Sequence, residues 1–126
     1  MDRLFVYGSL RTGQAARPLI ANHVIGSQPA TIRGRLCAVA DSYPGYLPGE
    51  TGNVVGEVMV LGDLAAAFAL LDAYEGEEFV RALQEATLVA DGTRVWAWCY
   101  VLASPALAEG AELIESGDWA RHLSGG

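Results

Sequence analysis

Glu75 is the residue in this chain best placed to do chemistry. It stands in Leu70-Leu71-Asp72-Ala73-Tyr74-Glu75-Gly76, at the end of a predicted amphipathic helix. At about 100° per residue, Leu64, Phe68, Leu71 and Glu75 project into one narrow sector of that helix. Three of the four are large and apolar, so the sector faces the core. A carboxyl aimed the same way must be paired, protonated or in use. The helix C-terminus, the neighbours Glu77 and Glu78, and the apolar face all disfavour its ionised form. A carboxyl pushed toward neutrality suits general acid–base work. Two structural roles compete: an ion pair, most readily with Arg81, or fraying of the helix end that lets Glu75 reach water.

Tyr7-Gly8-Ser9-Leu10 is the second candidate. A strand stops at a glycine and a small residue follows. The freedom of Gly8 allows successive N–H groups to point outward together, a cradle for a carboxylate or an oxyanion. The alternative is an ordinary strand-terminating turn. Ser9 as a nucleophile is weaker, because no Gly-x-Ser-x-Gly elbow surrounds it and neither His23 nor His122 has a recognisable partner. Arg81 either binds a substrate carboxylate or pairs with Glu75. Asp72 falls off the apolar sector and reads as solvated. Tyr43 and Tyr46 either line a pocket or, the favoured reading, pack in the core or its rim, and Trp96, Trp98 and Tyr100 read as a core stripe rather than a ligand platform.

The elements that must position these residues are several strands and two helices. Strands are predicted over residues 3–7, 31–40, 53–61, 79–89 and 94–102. Residues 64–74 form the main helix, with Asp63 as N-cap and Gly76 just past its end. A doubtful helix spans residues 14–22, broken near Pro18. Residues 42–49 are turn-rich, with a short edge strand around Tyr46, and Asp91-Gly92 marks a hairpin. Residues 104–115 read as loop plus a helical turn, and residues 122–126 as a disordered tail. Strands and helices do not alternate, which disfavours a doubly wound parallel sheet. The reading is a single α+β domain with a mixed or largely antiparallel sheet able to curl into a small β-barrel.

Bulk properties narrow the function. The 126 residues are 52% hydrophobic, enough for a real core, and carry a net charge of −7. Eight arginines and no lysine make up the cations, a bias that fits a GC-rich bacterial coding sequence. The acidic balance argues against nucleic acid and against an anionic membrane face. No apolar run approaches the roughly 20 residues needed to cross a bilayer, and the first residues lead straight into strand-like sequence, so the reading is cytoplasmic. Cys37 and Cys99 read as buried free thiols rather than a disulfide, and no metal-ligand spacing is present. Nothing in the pattern sets an oligomeric state.

With those residues in view, the chain resembles the γ-glutamylcyclotransferase-like superfamily, which includes γ-glutamylcyclotransferase, γ-glutamylamine cyclotransferase and the AIG2-like proteins. Leu4-Phe5-Val6-Tyr7-Gly8-Ser9-Leu10-Arg11-Thr12-Gly13 looks like the opening strand and Tyr-Gly-Ser/Thr-Leu loop of that family. Leu71-Asp72-Ala73-Tyr74-Glu75-Gly76, then Phe79-Val80-Arg81, looks like its Leu-Asp-x-x-Glu-Gly segment and the aromatic-x-Arg after it. The resemblance implies a small mixed fold around a central β-barrel with one pocket. It implies substrate binding by the backbone of Gly8, Ser9 and Leu10, with Tyr7 as a pocket wall and Glu75 as the catalytic acid/base. It implies release of an amine or amino acid from a γ-glutamyl substrate with formation of 5-oxoproline, and no cofactor. The competing expectations are a non-catalytic module that binds a small carboxylate, and a scaffold in which Glu75 is an ion-pair residue.

Overall fold

The computed structural model describes residues 2–40 and 42–125. Six strands form one sheet: β1 (Arg3–Val6), β2 (Val24–Val39), β3 (Tyr43–Leu61), β4 (Phe79–Leu88), β5 (Arg94–Leu102) and β6 (Glu112–Leu113). Their order is β3-β1-β5-β4-β2-β6, and β3 also pairs with β2. That extra pairing closes β3, β1, β5, β4 and β2 into a five-stranded barrel, with β6 attached to the outside of β2. Only β1 and β5 run parallel; the other pairings are antiparallel. The α+β barrel expected from the sequence is therefore the fold.

β1 is short, its edges are paired with β3 and β5, and both its faces are covered. Phe5 and Tyr7 enter a buried cluster with Tyr46, Val58, Ala97, Cys99 and Val101 inside the barrel. Leu4 and Val6 join an outer cluster with Met59, Phe68, Leu71 and Tyr100, under helix α1 (Leu64–Glu75). That two-sided burial explains why β1 is an unbroken apolar run rather than an alternating one. The helix begins and ends as its sequence signals required. The Asp63 side chain accepts a hydrogen bond from the Ala66 N–H at 3.1 Å. Gly76 takes a positive φ of 75° and donates to the Asp72 carbonyl at 3.1 Å.

Several predicted boundaries differ. Residues 43–49 are not a turn-rich loop: the short edge strand expected around Tyr46 is present and runs on as part of β3. Pairing of Ala38 with Pro44 and of Gly34 with Pro48 continues the β2–β3 ladder. The prolines are tolerated because β1 covers β3 only at Glu57, Val58, Met59 and Val60, so this end of β3 is an edge. The register shifts between Arg33 and Gly34, which expels Gly49, Glu50, Thr51 and Gly52 from the ladder. The doubtful helix resolves into two 3₁₀ turns, Arg17–Leu19 and Ala21–His23. A second helix, α2 (Trp119–Leu123), takes in the first two residues of the expected tail. Trp96 is 51% exposed, Trp98 is half-buried and only Tyr100 is buried, so the aromatic stripe is core at one end alone. The barrel interior takes the opposite face of β5, where Ala97 and Cys99 are small enough to fit. Cys37 and Cys99 are buried free thiols. No helix is long and apolar enough to cross a membrane among the described residues.

Candidate active site

The end of β1 is held by its side chain and its neighbours rather than by an unusual backbone. Tyr7 is buried, and its hydroxyl donates to the Tyr100 carbonyl at 2.7 Å. Gly8 does not use the left-handed region that its position in the sequence suggests. Its need is space: a Cβ there would stand 2.7 Å from Pro44 Cγ. The chain then turns, with Arg11 N–H donating to the Gly8 carbonyl at 3.1 Å and Ala16 N–H to the Ser9 carbonyl at 2.8 Å. Within the loop network of the described residues, no hydrogen bond is donated by the N–H groups of Gly8, Ser9 or Leu10.

A charged cluster fastens the far side of this loop. Glu57 on β3 accepts from the Thr12 N–H at 3.1 Å and from the Thr12 hydroxyl at 2.8 Å. Arg17 reaches the same carboxylate at 3.5 Å, and Arg11 pairs with Asp118 at 2.9 Å. These arginines and carboxylates thus neutralise one another outside the pocket.

Glu75 occupies the last turn of α1, beyond Leu71, the final buried residue of the helix. It lines a cavity of about 300 Å³ together with Tyr7, Gly8, Ser9 and Leu10. The two sequence motifs therefore meet in one hollow. Burial pushes the Glu75 carboxyl from an ordinary 4.5 up to about 7. Of the three causes the sequence offered, it is burial on the apolar face that raises it. Tyr7, Cys99 and Tyr100 lie close enough to feel its charge. No ion pair to Glu75 is present among the described residues. A near-neutral carboxyl in a partly enclosed site can both take and return a proton near pH 7.

Arg81 stands apart from this cavity. Its Nε and Nη2 donate to the two carboxylate oxygens of Asp72 at 2.8 and 3.1 Å, and its guanidinium lies 4.0 Å from the Phe68 ring centroid. It is therefore Asp72, not Glu75, that pairs with Arg81, and Asp72 is engaged rather than merely solvated. The guanidinium holds the Asp72 carboxyl below its usual range. Tyr46 is core, whereas Tyr43 joins Pro44, Tyr74, Glu78, Phe79 and Tyr100 in the cavity wall. Tyr74 and Glu78 carry no motif that singles them out in the sequence. Their signal is adjacency to Glu75 at a helix end, where neighbours fan around one mouth. Tyr74 also bonds the first motif: its hydroxyl and the Ser9 hydroxyl are 2.8 Å apart.

Comparisons with known proteins agree with this architecture. The chain is 37% identical over 119 residues to the Gamma-glutamylcyclotransferase family protein ytfP of Citrobacter rodentium, covering 93% of this chain and 94% of the relative. It is 36% identical over 119 residues to the YtfP protein of Escherichia coli strain K12, covering 93% and 95%. Among solved structures, c4763, described as a uropathogenic E. coli-specific protein, superposes with a TM-score of 0.68 at 27% identity, covering 98% of this chain and 95% of that one. An AIG2-like protein from Mus musculus superposes with a TM-score of 0.69 at 21% identity, covering 85% and 82%, a likeness of fold. Residues 4–121 match the family described as Gamma-glutamyl cyclotransferase, AIG2-like, a span that holds both motifs and nearly all of the barrel, and the chain belongs to that family.

Proposed function

We propose that this protein is a γ-glutamyl cyclotransferase that releases an amine or amino acid from a γ-glutamyl group and forms 5-oxoproline, with Glu75 as general acid and base. One observation carries the reading: Glu75 and the residues Gly8, Ser9 and Leu10 line the same cavity. The substrate's α-ammonium must lose a proton before its nitrogen can attack the γ-carbonyl. Glu75 accepts that proton. A new C–N bond closes the five-membered lactam, and the bond to the departing nitrogen breaks. Two protons pass from the attacking to the leaving nitrogen, and Glu75 is the group placed to shuttle them. Holding both ends of one molecule in a small cavity supplies much of the rate. No cationic side chain lines the cavity among the described residues. A substrate carboxylate or the developing oxyanion would therefore rely on the N–H donors of residues 8–10. A cytoplasmic γ-glutamyl metabolite is the partner that fits this chemistry, and no cofactor enters it.

The test is 5-oxoproline release from a panel of γ-glutamyl amides and dipeptides by the wild type and by Glu75→Gln. Turnover by the wild type with a loss of at least about a hundredfold in the variant is expected. Equal turnover by both would remove Glu75 from the mechanism. Tight binding of the panel without any turnover would leave a carboxylate-binding module in place of an enzyme.

A further inference from the structure

Tyr100 touches both halves of the site at once. Its backbone carbonyl accepts the Tyr7 hydroxyl at 2.7 Å, immediately before the amides of residues 8–10. Its own hydroxyl donates to Asp72 Oδ1 at 2.6 Å. Asp72 lies one helical turn ahead of Glu75. The second grip on Asp72 comes from Arg81, and Arg81 and Tyr100 are direct cross-strand partners in the β4–β5 ladder. The last turn of α1 is thus fastened to a single rung of the barrel.

That fastening matters because apolar contact ends early in the helix. Ala67, Phe68 and Leu71 are its buried residues, and Asp72, Ala73 and Tyr74 are exposed. Beyond Leu71, the polar rung and the Ser9–Tyr74 contact are what hold Glu75 over the cavity. We propose that Tyr100 is a positioning residue that sets the spacing between Glu75 and the amides of residues 8–10, through its hydroxyl on one side and its carbonyl on the other. The catalytic role it serves rests on the cyclotransferase reading above.

Tyr100→Phe keeps the ring and the carbonyl and deletes only the bond to Asp72. Asp72→Ala removes the other end of the same bond from outside the cavity. In substrate-free protein, the Glu75 carboxyl carbon is followed by NMR through a pH titration. The titratable groups around Glu75 are Tyr7 just past β1, Tyr43 from β3, Tyr74 from α1, Glu78 from the turn after it, and Cys99 and Tyr100 from β5. Burial pushes Tyr7, Cys99 and Tyr100 up and away from neutrality, and Glu78 is common to every variant compared, so a difference in midpoint between variants reports the exposure of the Glu75 carboxyl itself. Released from its rung, Glu75 turns toward water, and its midpoint falls from about 7 by roughly one unit or more. With a γ-glutamyl amide that the wild type converts, kcat drops roughly 10- to 100-fold with KM within about twofold, as expected of misplaced reacting groups. The double variant is no worse than Asp72→Ala alone.

An unmoved Glu75 midpoint in folded Tyr100→Phe would overturn the proposal, as would a change confined to the melting temperature. If Tyr100→Phe does not fold, the same midpoint measured in Asp72→Ala decides the matter by the same criterion. A shifted midpoint in a protein that converts no γ-glutamyl compound would uphold the positioning role and sink the cyclotransferase reading. Turnover with an unmoved midpoint would do the reverse.

Discussion

Replacing Glu75 by glutamine tests the half-buried carboxyl without any substrate. In the unfolded chain this acid titrates near 4.5, and in the folded protein near 7. Between those values the folded state binds more protons than the unfolded one, so its stability falls as pH rises. The raised value thus contributes stability that is fully present below about pH 4.5 and is lost as pH rises through about 7. A shift of this size corresponds to about 3 kcal/mol when complete, at roughly 1.4 kcal/mol per unit. Glutamine does not titrate, so the variant loses nothing over that window. Urea unfolding of both proteins at about pH 5 and about pH 8 reads the effect directly. The Glu75→Gln protein should gain roughly 2 to 2.5 kcal/mol relative to wild type between the two conditions. A difference independent of pH would refute the reasoning, because it would mean an ordinary, solvated Glu75. A relative loss in the variant at high pH would instead reveal an ion pair that the geometry does not contain.

Three further outcomes are expected. Gly8→Ala forces a Cβ against the rigid Pro44 ring and should cost roughly 1–3 kcal/mol in urea unfolding, with turnover lost as the loop moves. Arg81→Ala should cost about 1 kcal/mol of stability, since its pair with Asp72 is partly exposed, and should leave KM within about twofold. A KM rise of about two orders of magnitude in that variant would return Arg81 to the substrate. The cavity wall carries Glu75 and Glu78 and no cation, so γ-glutamyl amides of a diamine should be turned over a few-fold faster than those of an amino acid of the same length. That ratio should shrink in Glu78→Gln, measured as kcat/KM by 5-oxoproline release.

Glu75 was legible because its environment is local. Helical periodicity alone places it on the sector of Phe68 and Leu71, and Asp63 and Gly76 mark the helix ends by backbone chemistry that any sequence shows. The alternation of β5 and the Asp91-Gly92 hairpin were legible for the same reason. Partner choice was hidden. The sequence offered Glu75 or a substrate as the partner of Arg81 and left Asp72 solvated, and the register of β4 against β5 decided for Asp72 by setting Arg81 beside Tyr100. The demand on Gly8 was hidden too, since a close approach to Pro44 depends on a strand far along the chain.

The chain's own pattern determined the barrel-forming strands, the capped helix and the two motifs, because period, caps and turns act over a few residues. The closure of β3 onto β2, the extension of the edge strand around Tyr46 into one continuous β3, and the cavity shared by the two motifs belong to the tertiary structure. They arise from contacts between residues far apart in sequence, whose pairing no local preference encodes.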